Sequence, residues 1–488
     1  MVVASSLLDV LHETCSVFNL DDKRIRELAK SDIGKKSSVN SMLDVFVIAA
    51  KSLVEEDPDY SYVASRLLLY KLKLGLGIES VDDYKNYFRT VYFRLGVSND
   101  ILDERFSRFD IGTLSNAIDP DRDYLFDYIG IRTLEDRYFL RGKDKTIFEL
   151  PQMMWMRVAM GVSLNETNPT DSALAVYNEL STFHYCHSTP TLFNALLKRP
   201  QLSSCFGLQA QDSIEGIFDS YKESAQLQKY AGGVAQDWSL VRASGAYIKG
   251  VNGESSGVIP YLKIANDTAV SVHQAGKRNG AVVVSLANWH LDFEEFLDAK
   301  KNRGDDRRRL HDINTAGWIS DLFMERVIKD DDWTLFSPDE VPGLHEAQGK
   351  DFESLYKRFE NQAASGKIRS KKVKAKDLWK KQLSMLFETG HPWVIFKEAH
   401  NLRNQNKHAG TIASSNLCTE ISLHSSDKET FVCNLASLNL SRFIGKDGLL
   451  WDDIAATIKV AVRALDNVID INFYPSDKAK LANQTHRP

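Results

Sequence analysis

Apolar positions recur at helical spacing through the first third of the chain. Asp21 or Asp22 can cap a helix running through Lys23, Ile25 and Leu28. Ser38 precedes a longer run whose apolar positions are Met42, Phe46, Ile48, Ala49 and Leu53. Glu55-Glu56-Asp57-Pro58 interrupts it, because proline disfavours helix in the residue before it. Tyr60, Tyr62, Val63, Leu67, Leu68 and Leu69 resume a helical face. The stretch to about Ser172 is also mostly helical, with turns at Gly112-Thr113 and Arg141-Gly142-Lys143. The Met/Trp-rich run from Met153 to Val162 reads as core packing.

From about Asp171 the texture changes. Helical stretches alternate with short apolar or β-branched runs bounded by Gly and Pro. A helix over 213–230 carries Ile214, Phe218, Tyr221 and Ala225 on one stripe. Ala281 to Leu286 and Trp393 to Phe396 read as buried strands. Asp377 can cap a helix with Trp379, Leu383 and Leu386 inward, ended by Gly390. Ile454, Ile458, Ala461, Leu465 and Ile469 form a last helical stripe. Strands alternating with helices predict an α/β domain with a parallel sheet. No internal repeat or low-complexity tract interrupts it.

Bulk properties narrow the function classes. The chain has 488 residues, 43 % hydrophobic and 26 % charged, with net charge -5. That is an ordinary composition for a soluble protein of two or three domains, with no general case for nucleic-acid binding. The basic runs Arg303 to Arg309 and Lys367 to Lys376 read as solvated surface. No apolar run approaches the roughly 18 residues of a membrane span. The apolar start, Met1 to Leu8, has no basic leader and reads as no signal peptide. Five dispersed cysteines without a CxxC argue against a zinc cluster or a secreted disulfide framework. They point to a reducing cytoplasm, where a disulfide is catalytic or transient.

The chemistry centres on Ser415-Asn416-Leu417-Cys418-Thr419-Glu420. In an extended segment side chains alternate, so Asn416, Cys418 and Glu420 would share a face. That face would carry an amide, a thiol and a potential base. By itself the triplet is weak, since a buried cysteine is most often a small core hydrophobe. The other cysteines add weight. Cys205 lies in Leu202-Ser203-Ser204-Cys205-Phe206, and Cys433 in Phe431-Val432-Cys433-Asn434-Leu435-Ala436-Ser437-Leu438. Both segments read as short buried strands.

These three cysteine segments, taken together, resemble the catalytic (large) subunit of class I ribonucleotide reductase. Further motifs agree in order and approximate spacing: Ser188-Thr189-Pro190-Thr191, Asp212-Ser213-Ile214, Arg242-Ala243-Ser244-Gly245, Gly276-Lys277-Arg278-Asn279-Gly280, Trp289-His290-Leu291 and Glu340-Val341-Pro342-Gly343-Leu344. The resemblance is strongest from about 180 to 440. It implies a fold in which a helical N-terminal region leads into the first part of a ten-stranded α/β barrel. The domains would be a partial ATP-cone-like helical module over 1–85, a helical region over 86–170 and an incomplete barrel over 171–488. The catalytic finger loop would lie near 416–420.

The resemblance also implies roles. Cys418 becomes a thiyl radical and abstracts the 3′-hydrogen of a ribonucleotide. Glu420 takes the 3′-hydroxyl proton, and Asn416 holds substrate hydroxyls. Cys205 and Cys433 supply two reducing equivalents and end as a disulfide. Thr189 and Ser204 line the substrate pocket. Asp212 and Arg242 bind an effector nucleotide at a dimer interface, and the Gln274–Ala281 loop with Lys277 and Arg278 relays its identity. Cys15 and Cys186 match no family role and read as structural. No covalently bound cofactor or metal is implied for this chain. ATP and deoxynucleoside triphosphates act as effectors. The radical comes from a small metal-containing partner subunit, and thioredoxin or glutaredoxin serves as reductant.

Two stretches depart from the family. The N-terminal module lacks the basic/glycine hairpin that opens an ATP-cone, and only Ser38 to Leu69 resembles one. The chain stops at Gln484-Thr485-His486-Arg487-Pro488, where relatives continue into the second half of the barrel, a tyrosine pair and tail cysteines. The expectation is a naturally split subunit completed by a separate C-terminal polypeptide, or else a truncated chain. Two other readings compete with the reductase. One is a non-catalytic nucleotide-binding and dimerisation fragment; the other is a cobalamin-dependent reductase of the same superfamily.

Overall fold

The computed structural model describes residues 2–32, 38–272 and 280–488. The chain divides into two compact units, residues 1–202 with 436–471, and residues 203–435 with 472–488. No helix among the described residues is long and apolar enough to cross a membrane.

The first unit is helical, and its capping residues are legible in the sequence. Asp21 caps the Asp22–Ala29 helix by accepting from Lys23 N at 2.9 Å. Ser38 caps Val39–Ser52, and Tyr60–Gly75 follows the Pro58 break. Gly112-Thr113, expected as a turn, lies inside the Ile111–Ala117 helix. Asp110 starts that helix by accepting from Thr113 N at 3.1 Å and Thr113 Oγ1 at 2.6 Å. The Pro151–Val162 helix is buried on every side, as its Met/Trp composition predicts.

That burial includes a charge. Arg157 and Glu149 are both fully buried, with Arg157 Nε donating to Glu149 Oε1 at 2.7 Å. Tyr92 Oη and Leu140 N also donate to the carboxylate, at 2.6 and 3.1 Å. The guanidinium further donates to the carbonyls of Leu192 and Ala195, at 3.2 and 3.0 Å. Those carbonyls lie in the last turn and just past the end of the Thr189–Asn194 helix. One ion pair thus fixes the helix that begins at Thr189.

The Trp451–Ile471 helix, whose stripe was read within the 171–488 segment, packs in this helical unit. Ala461, Ala464, Val468 and Ile471 join its core, while Ile458 is exposed. Glu166 holds it by accepting from Arg463 Nε at 2.7 Å and Asn467 Nδ2 at 2.6 Å. Ahead of it, Ala436–Leu438 pairs antiparallel with Tyr185–His187.

The second unit is built on six strands: β1 Cys205–Gln209, β2 Gly233–Asp237, β3 Val282–Ala287, β4 Asn314–Ile319, β5 Trp393–Phe396 and β6 Phe431–Cys433. Their order is β5-β4-β3-β2-β1-β6, so the sheet is open, with β5 and β6 at its edges. The first five strands run parallel, as the alternation with helices predicts. β6 is antiparallel to β1, which makes the sheet mixed. The 431–438 segment, read as one strand, is two, because Asn434-Leu435 breaks it and its halves enter different units.

The two faces of the sheet differ in bulk. Phe206, Leu208, Val234, Val282, Val284 and Leu286 pack into the larger core with the surrounding helices. On the other face, Ala235, Val283, Ala316, Trp318, Ile395 and Phe431 enclose Ile412, with Leu417, Ile421 and Leu423 against them. Glycine occupies the tight points of this face. A Cβ on Gly207 would sit 1.9 Å from the Phe431 ring, and one on Gly233 would sit 2.5 Å from Leu417 Cδ1. Small residues therefore leave room for a loop to lie on the sheet.

Helix faces in this unit correct two readings. The Ala375–Thr389 helix has Lys374, not Asp377, at its N-cap position; Asp377 lies three residues later, in the first turn. It buries Leu378, Gln382 and Met385, leaving Leu383 exposed, and ends at Gly390 with φ 72°. The Ile214–Lys229 helix buries Ile217, Tyr221 and Leu227, while Ile214 and Phe218 are exposed. The basic runs are largely paired surface: Arg308 bonds Glu295, Lys371 bonds Glu294, and Lys374 lies 2.8 Å from Asp332.

Two outcomes follow for the helical unit. Arg157→Met strands a buried carboxylate and is expected to cost about 3–5 kcal/mol, against much less for Arg157→Met with Glu149→Leu. Urea unfolding of the two variants checks this. Asp123 is fully buried 3.6 Å from Lys73 Nζ, and burial raises its carboxyl from 3.8 to about 6. A raised folded-state value stabilises fully below about pH 4 and loses that contribution as pH rises through about 6. Asp123→Asn is therefore expected to gain stability relative to the unmodified chain between pH 4 and 7 in paired thermal melts.

Candidate active site

Register brings the two distant cysteines together. In the β1–β6 pair Cys433 lies directly opposite Cys205. Residues opposite each other in an antiparallel pair have Cα atoms about 4.5–5.5 Å apart, within disulfide range. Both thiols are buried and free. Ser204 N donates to Cys433 O at 3.0 Å, and Ser204 Oγ lies 3.7 Å from Cys433 Sγ. Ser203 Oγ donates to Asn434 Oδ1 at 2.8 Å, extending the seam by a residue.

The pair titrates as a unit. The hydrogen bond from Cys433, and then that from Asn416, lower Cys205 to about 7 against the opposing effect of burial. Cys433 moves the other way, pushed up by its hydrogen bond to Cys205 and by burial. The first proton lost leaves one sulfur anion shared across the seam, and a second beside it is disfavoured. Cys205 is thus the acidic thiol of the two.

The loop over the small-residue face completes the group. Asn401 anchors its start, donating to Ile412 O at 3.1 Å and accepting from Ile412 N at 2.8 Å. Residues 416–420 do not form the extended segment that the alternation predicted. Thr419 N donates to Asn416 O at 3.1 Å, and Thr419 adopts φ 66°. Ser415 Oγ closes the base of this turn by donating to Ile421 O at 2.7 Å. Local hydrogen bonding within the turn takes the place of a sheet ladder.

The turn still brings Asn416 and Glu420 together. Asn416 is fully buried, and its Nδ2 donates to Glu420 Oε1 at 2.9 Å and lies 3.5 Å from Cys205 Sγ. Its Oδ1 accepts from Ile421 N at 3.2 Å. One amide therefore touches both the carboxylate and the acidic thiol. Cys418, at the tip of the turn, is exposed. Leu417 beside it seats the tip over Gly233, the register partner of Cys205. A small residue at Gly233 is the signal for this contact, and the sequence reading passed over it.

A second site lies beyond the opposite ends of the same strands. Asp212 follows β1, and Arg242 follows β2. Arg242 Nε donates to Asp212 Oδ2 at 3.0 Å, with the Nη2–Oδ2 contact at 2.9 Å. They line a cavity of about 340 Å³ together with Ser213, Tyr247, Lys249, Tyr261 and Asp339. Lys249, Tyr261 and Asp339 were not anticipated; no pattern in the sequence marks them, because they come from separate loops and helices. Lys277, Arg278 and the glycine-rich stretch from His273 to Asn279 lie outside the described residues. Thr189 belongs to the helical unit, where its Oγ1 lies 3.0 Å from Tyr138 Oη. Cys15 is buried in that unit, and Cys186 is exposed on its Tyr185–His187 strand.

The shared proton gives an expected outcome. Replacing Cys433 with Ala removes the main hydrogen bond that acidifies Cys205. The midpoint for alkylation of Cys205, followed by mass spectrometry of its peptide against pH, is expected to move up from about 7 toward 9. An unchanged midpoint would mean that Asn416 alone sets it.

The chain is similar to known proteins of one family. Residues 203–488 match the family model described as "ribonucleotide reductase, barrel domain", and residues 124–200 match "ribonucleotide reductase, all-alpha domain". The chain is 49 % identical to a ribonucleoside-diphosphate reductase subunit alpha of Chlamydia muridarum, across 100 % of this chain and 47 % of that protein. It is 42 % identical to the subunit alpha of Helicobacter pylori, over 88 % of this chain and 60 % of that one. With the large subunit of Arabidopsis thaliana it shares 38 % identity, over 93 % and 58 %. The chain thus spans about half the length of the curated relatives it matches. It belongs to the ribonucleotide reductase large-subunit family.

Proposed function

We propose that this chain carries the thiol chemistry of a ribonucleoside-diphosphate reductase, an oxidoreductase that makes deoxyribonucleotides for DNA synthesis. The observation that carries the reading is the contact of one buried amide, Asn416, with both Glu420 and the acidic thiol of a cross-strand cysteine pair. A fragment that only bound nucleotides would not need this group.

In the proposed reaction a thiyl radical at Cys418 takes the 3′-hydrogen of the ribose. Sulfur suits the task because S–H and C–H bonds exchange hydrogen nearly reversibly. Glu420 accepts the 3′-hydroxyl proton, a general-base role within hydrogen-bond reach of substrate. The 2′-hydroxyl leaves as water, protonated by the more acidic thiol, Cys205. Cys205 and Cys433 together give up two protons and two electrons, and the two sulfurs become joined by an S–S bond. One proton leaves with the 2′-hydroxyl as water, and the other ends with both electrons in the new C2′–H bond. Glu420 returns its proton to the 3′-oxygen. Cys418 returns a hydrogen to C3′ and becomes a thiyl again. Asn416 holds the substrate hydroxyls, with Ser204 contributing to the pocket. The radical enters from a small metal-containing subunit, and a thioredoxin or glutaredoxin type protein reduces the disulfide after each turnover.

The Asp212–Arg242 cavity supports an effector site for ATP or deoxynucleoside triphosphates, placed at a homodimer interface. Since the chain spans about half of its relatives, turnover is proposed for a catalytic subunit that also includes the remaining part of the family's length. The tyrosines and tail cysteines of the family would reside there.

Cys418→Ser tests the assignment. In the completed enzyme it is expected to lower turnover at least a thousandfold, while deoxynucleoside triphosphate binding stays within twofold of the unmodified chain. Retained turnover would sink the thiyl role. Nucleotide binding with no turnover even by the unmodified assembly would favour the binding fragment instead.

A further inference from the structure

The two sites are joined by a pair of neighbouring strands. β1 begins at Cys205 and runs on to Asp212; β2 begins at Gly233, under Leu417, and runs on to Arg242. Each strand therefore has one end among the redox thiols and the other beside the nucleotide cavity. Where they leave the sheet, Gln209 lies opposite Asp237.

Asp237 is fully buried and cross-links this point. Its Oδ2 accepts from Gln209 Nε2 at 3.1 Å and lies 2.8 Å from His345 Nε2. Its Oδ1 accepts from Ser239 N at 3.1 Å and Ser239 Oγ at 2.7 Å. Four contacts fill the lone pairs of one carboxylate. Ala210 N donates to Asp237 O at 2.9 Å, tying the two strand ends by backbone as well. His345 is itself held from another element. The buried Lys397, next after β5, donates to His345 O at 2.7 Å with its ammonium over the Phe352 ring at 4.8 Å.

Stability alone does not ask for this arrangement, since replacing buried polar partners by apolar groups of the same shape can be nearly neutral. What a saturated carboxylate adds is a single allowed geometry. The last turn before Arg242 is set by Ser239, and the last turn before Asp212 by Gln209; both are gripped by the same group.

We propose that Asp237, clamped by His345, is a positioning residue that couples the nucleotide cavity to the Cys205 end of the sheet. The inference rests on the effector reading of the Asp212–Arg242 cavity. A nucleotide that shifts Arg242 or Asp212 then moves β1 and β2 as one body, and the shift reaches Cys205 and the seat of Leu417. With the clamp broken, the cavity is retained but its occupancy no longer reaches the thiols.

The test uses the full chain, deoxythymidine triphosphate or deoxyguanosine triphosphate as probe, and the Cys205 alkylation rate as a readout that needs no turnover. In the unmodified chain a saturating nucleotide is expected to change that rate at least about fivefold, the low end of coupling between linked sites. In His345→Leu the nucleotide is expected to bind within about threefold of normal affinity, while the rate no longer responds. His345→Gln keeps a donor toward Asp237 and is expected to restore most of the response. A merely structural role predicts a lowered melting temperature in both variants and no rescue by Gln. A full response in His345→Leu overturns the inference alone. Failure of the unmodified chain to bind either nucleotide overturns the effector reading, and this inference with it.

Discussion

A loop can lie across the face of a β-sheet only where that face gives it room. In this chain Gly207, Gly233 and Ala235 leave that room, and Phe431 and Leu417 fill it. The opposite face carries Phe206, Leu208, Val234 and Leu286 and is closed by helices. The asymmetry follows from the two-residue period of a strand: alternate positions are large for one face and small for the other. Everything proposed for the site depends on it. A bulkier residue at Gly233 would lift Leu417, and with it the turn that places Asn416 and Glu420.

The loop itself is held by polar contacts at its base and by one apolar contact at its tip. Asn401 and Ser415 satisfy backbone groups that a buried, non-strand segment would otherwise leave unpaired. Asn416 uses both ends of its amide, accepting from Ile421 N and donating toward Glu420. A thiol at the tip of such a turn can be exposed while its neighbours are fixed. That combination suits a residue that must meet a substrate held by a rigid surround.

Charge is buried in both units, in different ways. In the helical unit Arg157 and Glu149 share a bidentate contact, and the spare donors of Arg157 reach helix-end carbonyls. In the barrel unit Asp237 is satisfied by neutral donors and one histidine, and the opposing effects of burial and these partners leave its carboxyl below its ordinary value. In each case the charge fixes where a segment leaves its element: the Thr189 helix in the first unit, the strands toward Asp212 and Arg242 in the second.

Local features were legible from residues alone. Asp21, Ser38 and Gly390 mark helix ends because capping is a short-range interaction between a side chain and nearby backbone. The strands at 282–287 and 393–396 show in their apolar runs, and the Met/Trp helix in its composition. Only the first strand is buried throughout, since 393–396, expected to be buried, forms a sheet edge and leaves Phe396 exposed. The cysteine and nucleotide motifs point to the family, and the residues Cys205, Asn416, Glu420 and Cys433 gather in the structure. Other features needed the tertiary structure. Whether 416–420 is extended or turned depends on where the loop meets the rest of the chain: it lies over the sheet face, with Leu417 against Gly233, and closes on its own backbone. The antiparallel course of β6, and the departure of 436–471 to the helical unit, follow from which distant surfaces bury those residues. The clasp of Asp237 by His345 spans 108 positions of sequence; neither residue carries a local pattern that names the other. Sequence periodicity records how each element meets its own neighbours, while the pairing of elements far apart is decided only when the chain closes on itself.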